Sequence, residues 1–360
     1  MSTIRPPTAS NSRSSTTASS RASSFSRMPG TTAPSSSPRK RRTMPISRLD
    51  PGALPLIQPL FRQVFGHDIS LSFLEWKYGA EHGESWYVGD DEGKPLLHCG
   101  VFYRDILLAG QQHRIGQLTD LMAAPKQAGL TRKDSPFTRL MQRILEELPS
   151  PRNPHGLAVG FPSDRAMRLG EHLGVYKAID DWHELVFTAR PRRRFSPGAG
   201  DATTLGDALP ALTDTLWGRM RDDLGEHPVG IRDYAYLERR YLHHPQHRHH
   251  CLLVRSFWRR RPLALAILRG ESEHLELLDL IGPLSAMPAA LAAVQAWLPT
   301  VGGRSFAFWL TSRFAKQFAA LAERSRVTEF RIMANPRTPA AILEQFDHRW
   351  WLTGGDTDYR

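Results

Sequence analysis

Two aspartates at corresponding places in the chain carry side chains that could act as general bases. Asp120 lies in "QLTDLMAAP" and Asp279 lies in "ELLDLIGP", each inside an apolar run that ends at a proline. A carboxylate there could deprotonate an amine acceptor, or it could anchor the amides of the following loop. The recurrence favours anchoring, and Asp120 remains the candidate for a catalytic role.

A basic loop follows the first of these two runs. The segment "KQAGLTRKDS" (126–135) contains three cations that could bind phosphate groups, which are Lys126, Arg132 and Lys133. Ser135 then caps a segment with helical periodicity, and the N-terminus of a helix attracts phosphate through its free amides and its dipole. After Asp279 the chain leaves no room for such a loop. Phosphate binding is therefore predicted in the first half of the chain only.

Two other groups of polar residues have simpler interpretations. The segment "HHPQHRHH" (243–250) is rich in imidazole, but no set of carboxylates or thiolates accompanies it, and we predict no metal site. Glu75 and Glu238 recur in two short helical segments beside Lys77 and Arg240, where a structural role is expected.

The elements that must position these residues follow the same order twice. From Asp50 to Arg190 the patterns predict two helices, a strand hairpin, a third strand, a helix, a strand, a helix and a closing strand. The same order recurs from 204 to 334. Three matches are collinear: "FLE" with "YLE", "LTDL" with "LLDL", and "SDRA" with "SRFA". Together they predict a duplicated α/β unit.

These boundaries define four predicted segments. They are a disordered tail (1–43), an N-terminal domain (44–189), a linker rich in Pro, Gly and Arg (190–203) and a C-terminal domain (204–360). Near the chain end, acidic groups follow two tryptophans. They are expected either to close over the other half or to fray.

The predicted order and three segments resemble the GCN5-related N-acetyltransferase (GNAT) superfamily, in a tandem form with two such folds. The segments are "FLEWKYG", "QLTDLMAAP" with its loop and helix, and "GFPSDRAMRLGEHLGV". The chain end "RWWLTGGDTDYR" is also similar to that tandem type. The resemblance covers about residues 50–360 and implies a mixed α/β sheet in each half.

The resemblance implies an acyl-CoA-dependent N-acyltransferase that moves an acetyl group from acetyl-CoA to a small-molecule or peptide amine. Backbone amides on the fourth strand would hold the acyl carbonyl, and the loop and helix after it would hold the pyrophosphate. The residues assigned to acetyl-CoA in this way are Leu121, Met122, Ala123, Gln127, Gly129, Arg132, Lys133, Ser135, Ser163 and Arg165.

Two departures from the family pattern leave a second function open. The loop lacks the second small residue of the family motif, and Gly170 stands where many members have a tyrosine that protonates the leaving thiolate. Water or His172 would then supply that proton, and His172 is the candidate residue. The alternative function is a non-catalytic protein that uses the same cleft for binding or regulation.

The charge of the chain is concentrated in its tail. Of the net +11, eight positive charges and no negative ones lie before Met44, so residues 44–360 carry about +3. We therefore expect no nucleic acid on the folded body, although "PRKRR" in the tail could bind polyanions. The tail could also be a transit peptide, or an extension before a true start at Met44.

Further expectations come from apolar runs and cysteines. No apolar run appears long enough to span a membrane. Cys99 and Cys251 are each flanked by apolar residues and are expected to be buried thiols, which suggests a cytoplasmic setting. The sequence leaves the oligomeric state open.

Overall fold

The computed structural model describes residues 44–79, 81–125, 132–270 and 273–357. The predicted disordered tail (1–43) lies outside the described residues. Gln127 and Gly129 of the predicted phosphate loop also lie outside them.

The N-terminal half contains six strands. They are β1 (Ile46–Leu49), β2 (Gly83–Gly89), β3 (Pro95–Leu108), β4 (Gln111–Ala123), β5 (Ala158–Gly160) and β6 (Lys177–Thr188). The turn between β2 and β3 is the predicted hairpin. The Asp90 carboxylate accepts hydrogen bonds from the amides of Glu92 (3.0 Å) and Lys94 (2.8 Å), and Gly93 supplies a positive φ of 80°.

Four helices accompany these strands, and serine caps begin three of them. They are α1 (Gln58–Phe65), α2 (Leu71–Tyr78), α3 (Pro136–Glu147) and α4 (Asp164–His172). The hydroxyls of Ser70, Ser135 and Ser163 each accept a hydrogen bond from the amide three residues later. The predicted first helix opens as a 3₁₀ helix, Pro51–Ile57, because Pro55 inside it has no amide hydrogen to donate.

The described residues of the C-terminal half form seven strands and five helices. The strands are β7 (Gly198–Asp201), β8 (Val229–Gly230), β9 (His250–Arg255), β10 (Pro262–Arg269), β11 (His274–Ile281), β12 (Ser305–Thr311) and β13 (Arg324–Ala334). The helices are α5 (Leu209–Leu224), α6 (Tyr234–Leu237), α7 (Met287–Trp297), α8 (Ser312–Phe318) and α9 (Ala340–Phe346). A π-helix, Glu238–Leu242, continues α6.

The predicted linker 190–203 is not entirely a connector. Its residues Gly198–Asp201 form β7, which pairs antiparallel with β9. The sequence "GAGD" has no apolar alternation, and the strand forms because its main chain adds to the edge of a sheet.

All strands in the described part of the chain join one mixed sheet. Their order is β1-β2-β3-β4-β5-β13-β6-β12-β11-β10-β9-β7, and β8 pairs with β3 outside this path. In this order the closing strands of the two halves, β6 and β13, have exchanged places. The last strand of the chain, β13, pairs with β5, whereas β6 leaves its own half and pairs with β12.

The strand pairs on the two sides of the central β13 and β6 correspond one to one. The pairs β4 with β5 and β11 with β12 are both parallel, and every other pair along the path is antiparallel. The predicted α/β class with a mixed sheet is confirmed. The division into two tandem domains at 189 and 204 remains a prediction, because residues 44–360 form one compact unit whose halves exchange strands.

The exchanged strand β6 contributes to the core of the C-terminal half. Phe187 is fully buried there and its ring stacks on Phe306 of β12, with centroids 4.9 Å apart. Trp182, in the middle of β6, is buried in a separate cluster with Trp309 and Trp350. The strand therefore holds the two halves together through its side chains as well as its main chain.

One apolar stretch was not anticipated from the sequence. Residues Leu284–Val301 are long and apolar enough to cross a membrane, by length and composition only. In the fold they form α7 with short 3₁₀ turns on both sides, and α7 buries Met287, Leu291 and Val294 in the core of the C-terminal half. Packing against the sheet accounts for the apolar composition of that face.

The strand exchange predicts the effect of truncating Phe187. We expect Phe187→Ala to lower the free energy of unfolding by about 3–5 kcal/mol, since it leaves a cavity against Phe306. Urea unfolding followed by circular dichroism measures this. Val327→Ala, at a residue of β13 that is 53% exposed, is the control and should change stability by less than about 0.5 kcal/mol. A cost for Phe187→Ala as small as that of the control would contradict the packing role of β6.

Candidate active site

A β-bulge interrupts β4 at the aspartate singled out from the sequence. Gly100 of β3 pairs with Thr119 and His98 pairs with Met122, so Asp120 and Leu121 together oppose the single residue Cys99. Asp120 has a φ of 44°, in the left-handed region that aspartate tolerates better than most residues. The extra residue bends the strand locally.

Beyond this bend β4 separates from β5. The two strands pair only at Gly116 with Ala158 and at Gln117 with Val159. A cavity of about 970 Å³ opens between them. The backbone and side chains of 118–121 on one side and 160–163 on the other form its walls, and Ala166 of α4 lies at its edge.

A buried ion pair between Lys77 and Asp120 stabilises the bulge. The ammonium of Lys77 donates to a carboxylate oxygen of Asp120 at 2.7 Å, and the two side chains are 2% and 10% exposed. The hydroxyl of Tyr78 donates to the same oxygen and lies 2.8 Å from the Thr119 hydroxyl. Burial by itself would raise the pKa of Asp120, but the charge of Lys77 and these hydrogen bonds outweigh it and hold the pKa below its usual value.

A histidine fixes the backbone of the same residue. His98 is fully buried, and its Nδ1 lies 2.8 Å from the Asp120 carbonyl while its Nε2 lies 2.8 Å from the Ser85 hydroxyl. A carbonyl can only accept, so Nδ1 carries the hydrogen and Nε2 accepts from Ser85. Burial lowers the pKa of His98, which keeps the ring neutral in this role.

The C-terminal half contains a similar arrangement around Asp279. Tyr241, which corresponds to Tyr78, donates to its carboxylate at 3.1 Å, and Arg232 lies 3.3 Å away as the counterion. Asp279 and Arg232 are both fully buried. Burial, together with the nearby charge of Asp356, raises the pKa of Asp279 despite Arg232.

The gap between β11 and β12 is filled by the chain end. Thr353 forms a β-bridge with Leu310 of β12 and donates its hydroxyl to Asp279 at 3.3 Å. Arg240 donates to the carbonyl of Gly355 at 3.1 Å. A Cβ on Gly355 would lie 1.9 Å from the Tyr241 hydroxyl, so only glycine fits there. Of the two alternatives left open for the chain end, closure over the other half agrees with its contacts, because Asp356 pairs with both Arg104 and Arg232.

The histidine-rich loop of the C-terminal half forms one wall of the open cavity. His244 and His247 line it, and His244 packs against Phe73 and Trp76 of α2 with ring centroids 5.4 and 4.9 Å away. Burial and the positive charge of Arg240 lower the pKa of His244 to about 2. Across the described residues, no cluster of three or more His, Cys, Asp or Glu side chains could hold a metal ion.

A tyrosine missed by sequence reasoning reaches the same cavity. Tyr176 lines it, and its ring lies over Gly170, where a Cβ would be 1.9 Å from the ring. Tyr176 and Cys99, the residue opposite the bulge, belong to the same buried cluster. Burial raises the pKa of Tyr176, so it stays protonated. The sequence signal was Gly170, six residues earlier, which makes room for this ring.

Five predicted site residues lie in or beside the cavity, and Asp120, described above, is one of them. Leu121 and Ser163 line it, and Ser163 also caps α4. Met122 is buried among α1 and α2, Ala123 ends β4, and neither residue lines the cavity.

The other predicted residues lie away from the cavity. Arg132 pairs with Asp134 at 3.1 Å on the surface, and Lys133 is exposed. Ser135 is a buried cap of α3. Arg165 and His172 are exposed on α4 and do not line the cavity. His172 in the last turn of α4 thus does not reach the bulge, which leaves its predicted role as proton donor without structural support.

Comparisons with known proteins identify the fold. No protein-family model matches the sequence, and no curated protein matches it. Among solved structures, a probable N-acyltransferase from Enterococcus faecalis aligns over 81% of this chain and 72% of its own at 12% identity and a TM-score of 0.59. A GCN5-related N-acetyltransferase from Kribbella flavida aligns over 81% and 70% at 13% identity and a TM-score of 0.57.

A third solved structure is similar over most of both chains. The N-myristoyltransferase of Saccharomyces cerevisiae, with bound myristoyl-CoA, aligns over 84% of this chain and 85% of its own at 8% identity and a TM-score of 0.52. The chain therefore has the GNAT fold, as the sequence resemblance predicted.

The pKa of Asp120 predicts a specific acid sensitivity. Its folded pKa lies below the unfolded value of about 3.9, so the stabilising contribution is complete above that pH and is lost as the pH falls through the folded pKa. We expect the free energy of unfolding of the wild type to fall more steeply below about pH 4 than that of Asp120→Asn. Urea unfolding at a series of pH values measures this. Asp207→Asn, at an exposed aspartate, should follow the wild-type curve, and parallel curves for Asp120→Asn and wild type would contradict the assignment.

Proposed function

We propose that the protein is an acyl-CoA-dependent N-acyltransferase, acting with acetyl-CoA on an amine. One observation carries the proposal: the bulged β4 separates from β5 around an open cavity in the N-terminal half, whereas the chain end fills the corresponding gap. The fold of the solved N-acyltransferases supports it.

The reaction requires positioning more than strong chemical groups. The amine nitrogen attacks the thioester carbonyl, a C–N bond forms, the C–S bond breaks, and the thiolate takes a proton. The backbone amide of Leu121, on the part of β4 that the bend separates from β5, is where the acyl carbonyl would accept a hydrogen bond. Holding amine and thioester together in this gap supplies most of the acceleration.

The N-terminus of α3 is the proposed anchor for the pyrophosphate. It follows the basic loop and begins at Ser135, and Arg132 and Lys133 precede it. A twelve-residue helix presents free amides and a positive dipole end to an anion.

The acceptor wall is mainly aromatic and uncharged. The rings of Phe61, Phe65, Phe73 and Phe330 line the cavity together with the neutral His244. The charged side chains that also line the cavity are already engaged in ion pairs; they are Asp68, Lys77, Asp120 and Arg269. We therefore propose an amine carried on an apolar body. His247, whose pKa is lowered mainly by burial, faces the same space and is the proposed acceptor of the amine proton.

Asp120 and Tyr176 have different roles in this proposal. Asp120 is engaged with Lys77 and Tyr78, so it positions the bulge rather than acting as a base. Tyr176 replaces the family tyrosine missing at Gly170, and its hydroxyl protonates the leaving thiolate. The alternative of a non-catalytic binding protein rests on the loop that lacks the second small residue.

Filling the cavity tests the proposal. Ala166→Trp places an indole at the cavity edge, and we expect calorimetry to show acetyl-CoA binding weakened at least about tenfold, the loss of about 1.4 kcal/mol of binding energy. Release of free CoA thiol in the presence of arylalkylamines should fall in parallel. Ala341→Trp, at an exposed position of α9, is the matched control. Wild-type binding by Ala166→Trp would overturn the proposed site, and binding without turnover in the wild type would favour the non-catalytic function.

The proposed proton donor makes a separate prediction. Tyr176→Phe should lower kcat about a hundredfold or more and leave acetyl-CoA binding unchanged, because the ring and its packing over Gly170 remain. A thioester donor with a more acidic thiol should restore most of the rate, since its thiolate leaves without a proton. Tyr87→Phe on β2, outside the cavity, is the control. An unchanged kcat for Tyr176→Phe would exclude this role.

A further inference from the structure

We propose that the sheet edge at β7 and β9 carries a binding surface for single-stranded nucleic acid. The surface, here termed the arginine–aromatic patch, combines segment 192–195 with the turn between β9 and β10. Its members are Phe195, Phe257 and Trp258, with Arg192, Arg193, Arg194, Arg255, Arg259, Arg260 and Arg261. The patch is independent of the cavity between β4 and β5.

Three aromatic rings form the centre of the patch. Trp258 is 75% exposed and Phe195 is 63% exposed, the two highest values among the large apolar side chains of the described residues. Their rings are parallel within 1°, with centroids 6.5 Å apart. Phe257 stands perpendicular to both, at 5.1 and 5.4 Å. Exposed, parallel ring faces are the surfaces on which unpaired bases stack.

Seven arginines surround these rings. Within the described residues, none of these seven arginines forms an ion pair with a carboxylate. Most ion pairs elsewhere in this part of the chain involve an arginine. Six are exposed and Arg255 is half-buried. The guanidinium of Arg194 lies over the Phe195 ring at 5.4 Å. Unpaired guanidinium groups beside aromatic rings are suited to phosphates along a stacked strand.

The turn between β9 and β10 has a backbone conformation that its arginine residues disfavour. Arg259 and Arg260 have φ values of 62° and 48°. Consecutive left-handed positions favour Gly, Asn or Asp, and each costs about 1 kcal/mol or more for another residue. The turn therefore holds two arginines where local stability disfavours them, and it projects Trp258 outward.

The pairing of β7 with β9 brings the two segments together. Gly198 pairs with Arg255, and a notch of about 260 Å³ lies between Arg192, Arg255 and Arg260. Asp201 is the one carboxylate that lines this notch, and it already accepts hydrogen bonds from the amide and hydroxyl of Thr203. The notch is thus a positively charged recess next to the rings.

Charge and geometry favour a single strand over other occupants. A second copy of the patch would bring seven like charges against seven, which disfavours self-association through this face. An anionic membrane matches the charge, but parallel ring faces with a perpendicular third ring suit planar bases better than acyl chains. The net charge of residues 44–360 is small because acidic residues elsewhere offset the seven arginines of the patch.

Fluorescence anisotropy with a labelled oligothymidylate tests the proposal on the full chain. We expect the double variant Phe195→Ala/Trp258→Ala to weaken binding at least about fivefold per stacked base, with the salt slope unchanged. Arg259→Gln/Arg260→Gln should reduce the slope of log K against log salt concentration by about 1.4. The basic tail is present in every variant, so differences between variants report the patch alone.

Control variants and a second probe separate the alternatives. Arg313→Gln/Arg324→Gln, two exposed arginines outside the patch, should leave the affinity nearly unchanged. Thermal unfolding at the wild-type temperature shows that the exposed substitutions preserve the fold. Unchanged oligothymidylate affinity in the aromatic variant overturns the proposal. Loss of binding to phosphatidylserine vesicles by the same variant, without loss of oligothymidylate binding, also overturns it and assigns the patch to membranes.

Discussion

The buried ion pair between Lys77 and Asp120 is the interaction on which the candidate site depends. Asp120 occupies a left-handed conformation at an extra residue of β4, and an unpaired carboxylate buried there would be strongly destabilising. The ammonium of Lys77, the hydroxyl of Tyr78 and the imidazole of His98 together hold its side chain and its carbonyl. With the bulge fixed in this way, β4 separates from β5 and the cavity opens.

Related contacts in the two halves have different consequences. Tyr78 with Asp120 and Tyr241 with Asp279 are the same hydrogen bond in two places. In the C-terminal half, however, the chain end occupies the gap, and Asp356 links Arg104 of the first half to Arg232 of the second. The C-terminal half therefore supports the N-terminal half, and its histidine-rich loop forms a wall of the gap that stays open between β4 and β5.

Much of the local structure was predictable because neighbouring residues decide it. The serine caps, the hairpin at Asp90 and the order of helices and strands follow from side-chain patterns within short segments. The pairing of β7 and the exchange of β6 and β13 could not be predicted in this way, because main-chain pairing between distant strands leaves little trace in side-chain alternation. Likewise, His172 was a candidate proton donor because it lies close to Gly170 in sequence, but its direction on α4 depends on what the helix packs against.

The sequence by itself determined the α/β class, the likeness of the two halves and the corresponding aspartates Asp120 and Asp279, since these depend on periodicity and local motifs. Only the tertiary structure decided which of the two gaps stays open, that Tyr176 lies over Gly170, and that arginines about sixty residues apart in sequence share one surface with Trp258. Each of these outcomes depends on contacts between distant segments, and such contacts are specified by packing of the whole sheet rather than by any single stretch of residues.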